Sequence, residues 1–215
     1  MRVLHFLLAL WLPAAATTAL AAEPVAGAFD YYTLAITLTP AYCDHNPKLR
    51  KTQQCRARRP LNVHGLWPTR SKGAAPEFCA GPALALSPAR EQGLRNLMPD
   101  AGWRQQEWER RGRCSGLDAD SYFAMVEKEF QDLKLPAQLQ AQGRNRLVKR
   151  EALLAEFHRL NPGFPARGVM LRCSNKGRPQ MLTEIHVCLT PDGYPTECVA
   201  NFTPNCPVSM KLRGR

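Results

Sequence analysis

No CxxC pair occurs anywhere in the 215 residues, so the usual spacing of a zinc site is missing. After the N-terminus there is no apolar run near the ~20 residues that a membrane-spanning helix needs. Internal repeats, low-complexity tracts and a clear interdomain linker are absent as well. Acidic residues are scarce, 18 against 29 Lys and Arg, which leaves a formal charge of +11. There are only five histidines. Such a chain excludes solenoids, membrane bundles and zinc ribbons, and its basicity favours an acidic partner such as nucleic acid, an anionic surface or a polysaccharide.

What is present begins with "MRVLHFLLALWLPAAATTALAA". One cation, an apolar run and small residues ending in "ALA" at Ala19–Ala21 form a secretory signal, cut after Ala21 or Ala22. The expectation is a signal peptide at 1–21 and a single domain at 22–215, secreted or periplasmic. Cleavage removes Arg2 and no anion, so the charge falls from +11 to +10. Eight cysteines follow: Cys43, Cys55, Cys79, Cys114, Cys173, Cys188, Cys198 and Cys206. An even number in an oxidising compartment makes four disulfides the default, with 105 pairings open.

The pattern predicts strands at both ends and helices between. "FDYYTLAITLTPAYC" (Phe29–Cys43) reads as a buried strand, and "LNVHGLW" as a second that ends at Gly65. Its alternation puts Asn62 and His64 on one face, Leu61 and Val63 on the other. Helices are expected from Ser87–Pro88 with Leu94, Leu97 and Met98 inside, and over Gly102–Arg111 with a stop at Gly112. A third opens near Asp118 or Asp120 with Tyr122, Val126, Phe130 and Leu133 on one stripe. A fourth, near Arg150–Leu160, buries Leu153, Leu154, Phe157 and Leu160. Strands return at Val169–Arg172 and in "PQMLTEIHVCL", where Thr183, Ile185, Val187 and Leu189 alternate against Glu184, His186 and Cys188. "TPDGYP" is a turn. The fold class is α+β, with helices packed on a mostly antiparallel sheet.

Two segments carry chemistry. "NVHGLWP" places His64 beside Gly65 and Trp67: a group that titrates near neutrality, room for close approach, and a flat face for a base. Alone, a core histidine beside a core tryptophan explains it as well. "QEWERRGRC" (Gln106–Cys114) sets Glu107, Arg110 and Arg111 on one helical face. Alone, that is an ordinary solvated helix, and Trp108 is a core residue. Together they supply a histidine, a carboxylate, guanidinium groups and an indole. Those are the parts for RNA cleavage through the neighbouring 2′-hydroxyl, which needs no metal or cofactor.

These segments resemble the ribonuclease T2 family. "FDYYTLAITLTPAYC" is similar to its first strand, "HGLWP" to its first active-site segment, "EWERRGRC" to its second, which usually reads HEWxKHGTC, and "LTEIHVCL" to its late strand. The resemblance implies that His64 is the first catalytic histidine and Glu107 the catalytic glutamate. It implies that Arg110 stands for a transition-state lysine and that Trp67 contacts a base. It also implies the pairs Cys43–Cys55, Cys79–Cys114, Cys173–Cys206 and Cys188–Cys198, in a monomer that takes RNA as substrate. The departures are Gln106 for a phosphate-binding histidine, Arg113 for a threonine, and Arg111 for the second catalytic histidine. Arginine binds phosphate but does not act as a base, because its pKa exceeds ~12.

Three readings follow: a secreted endoribonuclease with an altered second site, a T2-like protein that binds RNA or another polyanion without cutting it, and a disulfide-rich inhibitor or lectin. Among substitutes for the absent histidine, His45 in the basic loop ranks first. His158 at the edge of a helical stripe and His186, which points away from Ile185 and Val187, rank below it. Thr69, two residues after Trp67, is the position that contributes to base choice in the family. "NFT" at Asn201–Thr203 is a formal glycosylation sequon.

Overall fold

The computed structural model describes residues 24–214 apart from 58, 141–142, 176, 178 and 200–204. The expected signal peptide and the sequon lie outside the described residues. A four-stranded antiparallel sheet forms the centre, in the order β2-β1-β5-β4, from β1 (Tyr31–Leu38), β2 (Leu61–Thr69), β4 (Val169–Cys173) and β5 (Leu182–Leu189). A small second sheet pairs β3 (Arg146–Lys149) with β6 (Ser209–Leu212). Between β1 and β2 lie α1 (Thr39–His45) and α2 (Gln53–Arg56). Then come α3 (Pro88–Leu94), α4 (Ala101–Arg110), α5 (Ala119–Asp132), α6 (Ala137–Gln140) and α7 (Arg150–Leu160).

The α+β class is as the pattern indicates, with two corrections near the site. The first strand stops at Leu38, and "TPAYC" belongs to α1. Pro40 has no N–H for a ladder but suits the first turn of a helix. The second strand runs four residues past Gly65, to Thr69. In α7 Leu153 and Phe157 are buried as expected, whereas Leu154 and Leu160 are only partly covered.

The register explains why the strand continues. Ala35 pairs with Gly65 and Ile36 with Val63, so His64 is an extra residue, a bulge on β2. A bulge reverses the alternation beyond it. Leu61, Val63 and Leu66 face the core opposite Leu38, Ile36 and Leu34, while Asn62, Gly65 and Trp67 pair with Thr37, Ala35 and Thr33 on the other face. On β5, Ile185 and Val187 join the core side; Glu184 and His186 pair with Thr37 and Ala35. One face of the sheet is thus apolar and packs on α5, whose Tyr122, Phe123 and Val126 are wholly buried. The other carries the polar chemistry.

Disulfides join Cys43–Cys55, Cys79–Cys114, Cys173–Cys206 and Cys188–Cys198, the four pairs that the family resemblance implies, and no described cysteine is free. No helix of the described residues is long and apolar enough to cross a membrane.

Candidate active site

α4 is held in place before it contributes anything. Asp100 caps it by accepting from the Trp103 N–H. Trp108 is fully buried, as expected of a core residue, and its Nε1–H donates to the Pro82 carbonyl at 3.0 Å. Buried Arg104 donates to the Met98 carbonyl and to Glu91. The helix end is tied by Cys79–Cys114 and by the Phe78 N–H donating to the Arg110 carbonyl at 2.7 Å.

So anchored, α4 turns Glu107 under β2. The carboxylate is 3% exposed and its Oε2 accepts from Trp67 Nε1–H at 2.8 Å. Gly65 makes this possible. A Cβ there would overlap both Glu107 Oε2 and Trp67 Nε1. Burial raises the Glu107 carboxyl above its ordinary value, against the opposing pull of His64, the Trp67 hydrogen bond, Arg111 and Arg110.

His64 projects from the bulge into an aromatic cage. Its ring centroid lies 5.1 Å from Trp67, 4.7 Å from Trp103 and 5.9 Å from Tyr42, and its carbonyl accepts from Trp103 Nε1–H at 2.8 Å. Its Nδ1 lies 2.5 Å from Glu184 Oε1. The other oxygen of Glu184 is 3.0 Å from His186 Nε2, and His186 in turn meets Trp67 edge-on at 5.2 Å. The face of the strand turned away from Ile185 and Val187 is thus the site face, and His186 lies on it behind Glu184. His45, ranked first, lines a neighbouring cavity with Tyr42, Arg172 and Glu184. His158 packs its ring on Phe157 in α7.

The arginines meet an acid that sequence reasoning missed. Glu77 accepts from Arg110 through both oxygens, at 3.0 and 3.1 Å, and from Arg111 at 2.7 Å. Arg111 lies over the Trp67 ring, 4.6 Å from its centroid. The Cys79–Cys114 bridge delivers Glu77 to that point. Gln106 is exposed on α4, while Arg113 turns away and donates to the Pro82 carbonyl. Thr69 shares a 3.0 Å hydrogen bond with Thr33. A cavity of about 400 Å³ opens beside Trp67 and Arg111, lined also by Thr69, Arg172, Glu184 and His186. That is room for a nucleotide. A cavity of about 440 Å³ around Arg150, Leu154 and Arg167 contains none of these groups. No cluster of described residues has the make-up of a metal site.

A family model, the ribonuclease T2 family, matches residues 29–198. The chain belongs to the ribonuclease T2 family, the class of the T2-type endoribonucleases. It is 29% identical over 202 residues to a ribonuclease of Aeromonas hydrophila, covering 89% of this chain and 84% of that one. With ribonuclease I of Escherichia coli it shares 27% over 221 residues, 83% and 82% of the two chains. Among solved structures, Japanese pear S3-RNase superposes with a TM-score of 0.68 at 22% identity, over 86% of this chain and 99% of that one. A variant of ribonuclease MC1 in complex with 5′-UMP does so at 0.68 and 20%, over 85% and 97%. At these identities the structural likeness speaks for the fold.

Proposed function

We propose that this T2-family endoribonuclease cleaves single-stranded RNA by transphosphorylation, with His64 and Glu107 as its proton-transfer pair. The observation that carries the reading is their joint placement: a caged imidazole on a bulge and a buried carboxylate beneath Gly65, both against Trp67. Glu107 takes the proton of the 2′-hydroxyl. O2′ attacks phosphorus, the P–O5′ bond breaks, and protonated His64 gives its proton to O5′. The products are a 2′,3′-cyclic phosphate and a 5′-hydroxyl; water then opens the cycle to a 3′-phosphate. A carboxyl raised by burial is a better base than an ordinary one.

Arg111 does not replace the imidazole whose position it occupies. It offers a charged clamp for the phosphate, and a base stacks in the cavity beside Trp67. That nucleotides enter such a cleft is supported by the MC1 variant's complex with 5′-UMP. The loss of one imidazole implies slower cleavage than in relatives with two, since a placed acid–base group contributes ~10²–10⁴-fold. The N-terminal segment and four disulfides support secretion or a periplasmic site, and the protein acts as a monomer.

Arginine at 111 also favours a second reading, a protein that binds RNA without cutting it. Incubating the mature protein with RNA in EDTA decides between them. Cyclic-phosphate products that fall by ~10²–10⁴-fold in His64→Ala support the enzyme. Retarded but intact RNA, equal in both proteins, supports the binder.

A further inference from the structure

Glu184 belongs to none of the segments that carry the family's active-site pattern, and the cleavage scheme above does not use it. We infer that Glu184 is a positioning residue for His64, taking its Nδ1 proton and so turning Nε2 toward the cleft, while His186 fixes the carboxylate from behind. The inference rests on the ribonuclease reading for its consequence in catalysis. Its geometry is independent of that reading.

The geometry starts from the sheet. Glu184 and His186 are two apart on β5 and so share the site face, opposite Thr37 and Ala35 of β1. Ala35 also pairs with Gly65 on its other side. Two small residues in the middle of the face leave the space in which the rings of His64, Trp67 and His186 meet. Glu184 lies between two imidazoles, 2.5 Å from His64 Nδ1 and 3.0 Å from His186 Nε2. The three side chains are 17%, 15% and 6% exposed for His64, Glu184 and His186, so water competes little for these hydrogen bonds.

An ionised carboxylate only accepts, so each imidazole nitrogen facing it must carry a proton. Burial pushes the Glu184 carboxyl up, but hydrogen bonds from His186 and His64 and their charges outweigh it and hold the group well below the usual carboxylate range. Burial pulls His186 below its ordinary value, against the pull of Glu184. His186 donates from Nε2 to the carboxylate and acts as an anchor. His64 is left with Nδ1–H toward Glu184 and Nε2 toward the cleft, the nitrogen that must carry and release the proton for O5′. The carboxylate also stabilises the imidazolium before transfer, as a carboxylate does behind a catalytic histidine. Its own proton count does not change.

Other groups around the pair set the background: Glu107 from α4, Arg111 at its end, Tyr42 from α1, and Arg172, which faces Glu184 from β4. Among the described residues, Glu184 is the one that meets a ring nitrogen of His64 at hydrogen-bond distance.

The test uses the mature protein labelled with ¹⁵N-histidine, as wild type, Glu184→Gln and Glu184→Ala, alongside cleavage of a dinucleoside monophosphate. Nitrogen chemical shifts should place the proton of neutral wild-type His64 on Nδ1 and lose that preference in Glu184→Ala. Glu184→Gln keeps size and an acceptor but drops the charge. Its kcat should fall by ~10²-fold or more with KM little changed, and the alkaline limb of its pH–rate profile should move to lower pH. A structural role alone would move stability and leave that limb in place. Wild-type His64 protonated on Nε2, or Glu184→Gln with wild-type kcat and pH profile, overturns the inference. A wild type that shows the Nδ1 proton and its loss in Glu184→Ala, yet cuts no RNA, supports the positioning and overturns the ribonuclease reading.

Discussion

The strand-borne half of the site and its helix-borne half are built on opposite plans. On the sheet, His64, Glu184 and His186 form a line of hydrogen bonds in which each proton has one place. On the helix, Glu107 is buried, and the two arginines beyond it share one carboxylate, Glu77. The strand half sets one carboxylate between two imidazoles; the helix half sets a buried carboxylate beside two guanidinium groups held by an acid. Arg111, the second of these guanidinium groups, lies at the end of the helix against that acid and over the Trp67 ring. Arginine keeps its proton, so in the proposed scheme proton transfer on the helix side falls to Glu107.

The sharpest way to break that division is Glu107→Gln. If Glu107 is the only base, cleavage should fall by ~10²–10⁴-fold. Stability should move the opposite way. The Glu107 carboxyl is raised in the folded protein, so the fold binds its proton more tightly than the unfolded chain does. Ionising it costs stability as pH rises from the unfolded carboxyl's ~4.3 through the folded value. Glu107→Gln should therefore melt higher than wild type near neutrality, and the gap should close below about pH 4. An unchanged melting temperature at neutral pH would mean that Trp67 and the cations already offset the burial.

Arg111→His tests whether the helix half can take a second proton group. The new imidazole would sit within the reach of Glu77, which could orient it as Glu184 orients His64. Cleavage should rise by roughly 10-fold, short of the full range for a placed acid–base group because the packing on Trp67 is lost. Two imidazoles should also give a narrower bell in the pH profile. Lower activity with an intact fold would show instead that the arginine clamps the transition-state phosphate, and that the helix half loses more charge than it gains in proton transfer.

The comparison also shows what the sequence could and could not reveal. The helix half was legible because Glu107, Arg110 and Arg111 are neighbours in the chain, and helical spacing alone puts them on one face. In the strand half, His64 and Trp67 stand out, but their partners are 120 residues away across β1. The alternation of β5 already separated Glu184 and His186 from the core residues. That signal identifies a face, and it takes the pairing with β1 to show that the face is the site. The bulge at His64 was not legible either: a strict two-residue period puts Trp67 with Leu61 and Val63, and one extra residue moves it to the side of Asn62. Glu77 was hidden for a different reason. It lies in a loop without pattern, and the Cys79–Cys114 bridge with the Phe78–Arg110 backbone hydrogen bond brings it to Arg110 and Arg111.

Glu77→Gln carries the smallest expected effect and separates charge from position in the helix half. Glutamine retains an acceptor that can hold Arg111 over Trp67, but no longer neutralises the two guanidinium groups. Arg110 is 42% exposed and Glu77 28%, so solvent screens the pair. An ion pair in such a setting is worth ~0.2–1 kcal/mol. Removing the acid should therefore tighten RNA binding by only about 1.4- to 5-fold. The salt dependence is the more telling readout. Freed cations make closer phosphate contacts, and each added contact steepens the log–log slope by about 0.7 for a single strand. kcat should change little, because Glu107, His64 and Glu184 are untouched. Affinity and slope both equal to wild type would mean that neither arginine meets a phosphate, and the helix half would then hold charge only to fix its own end.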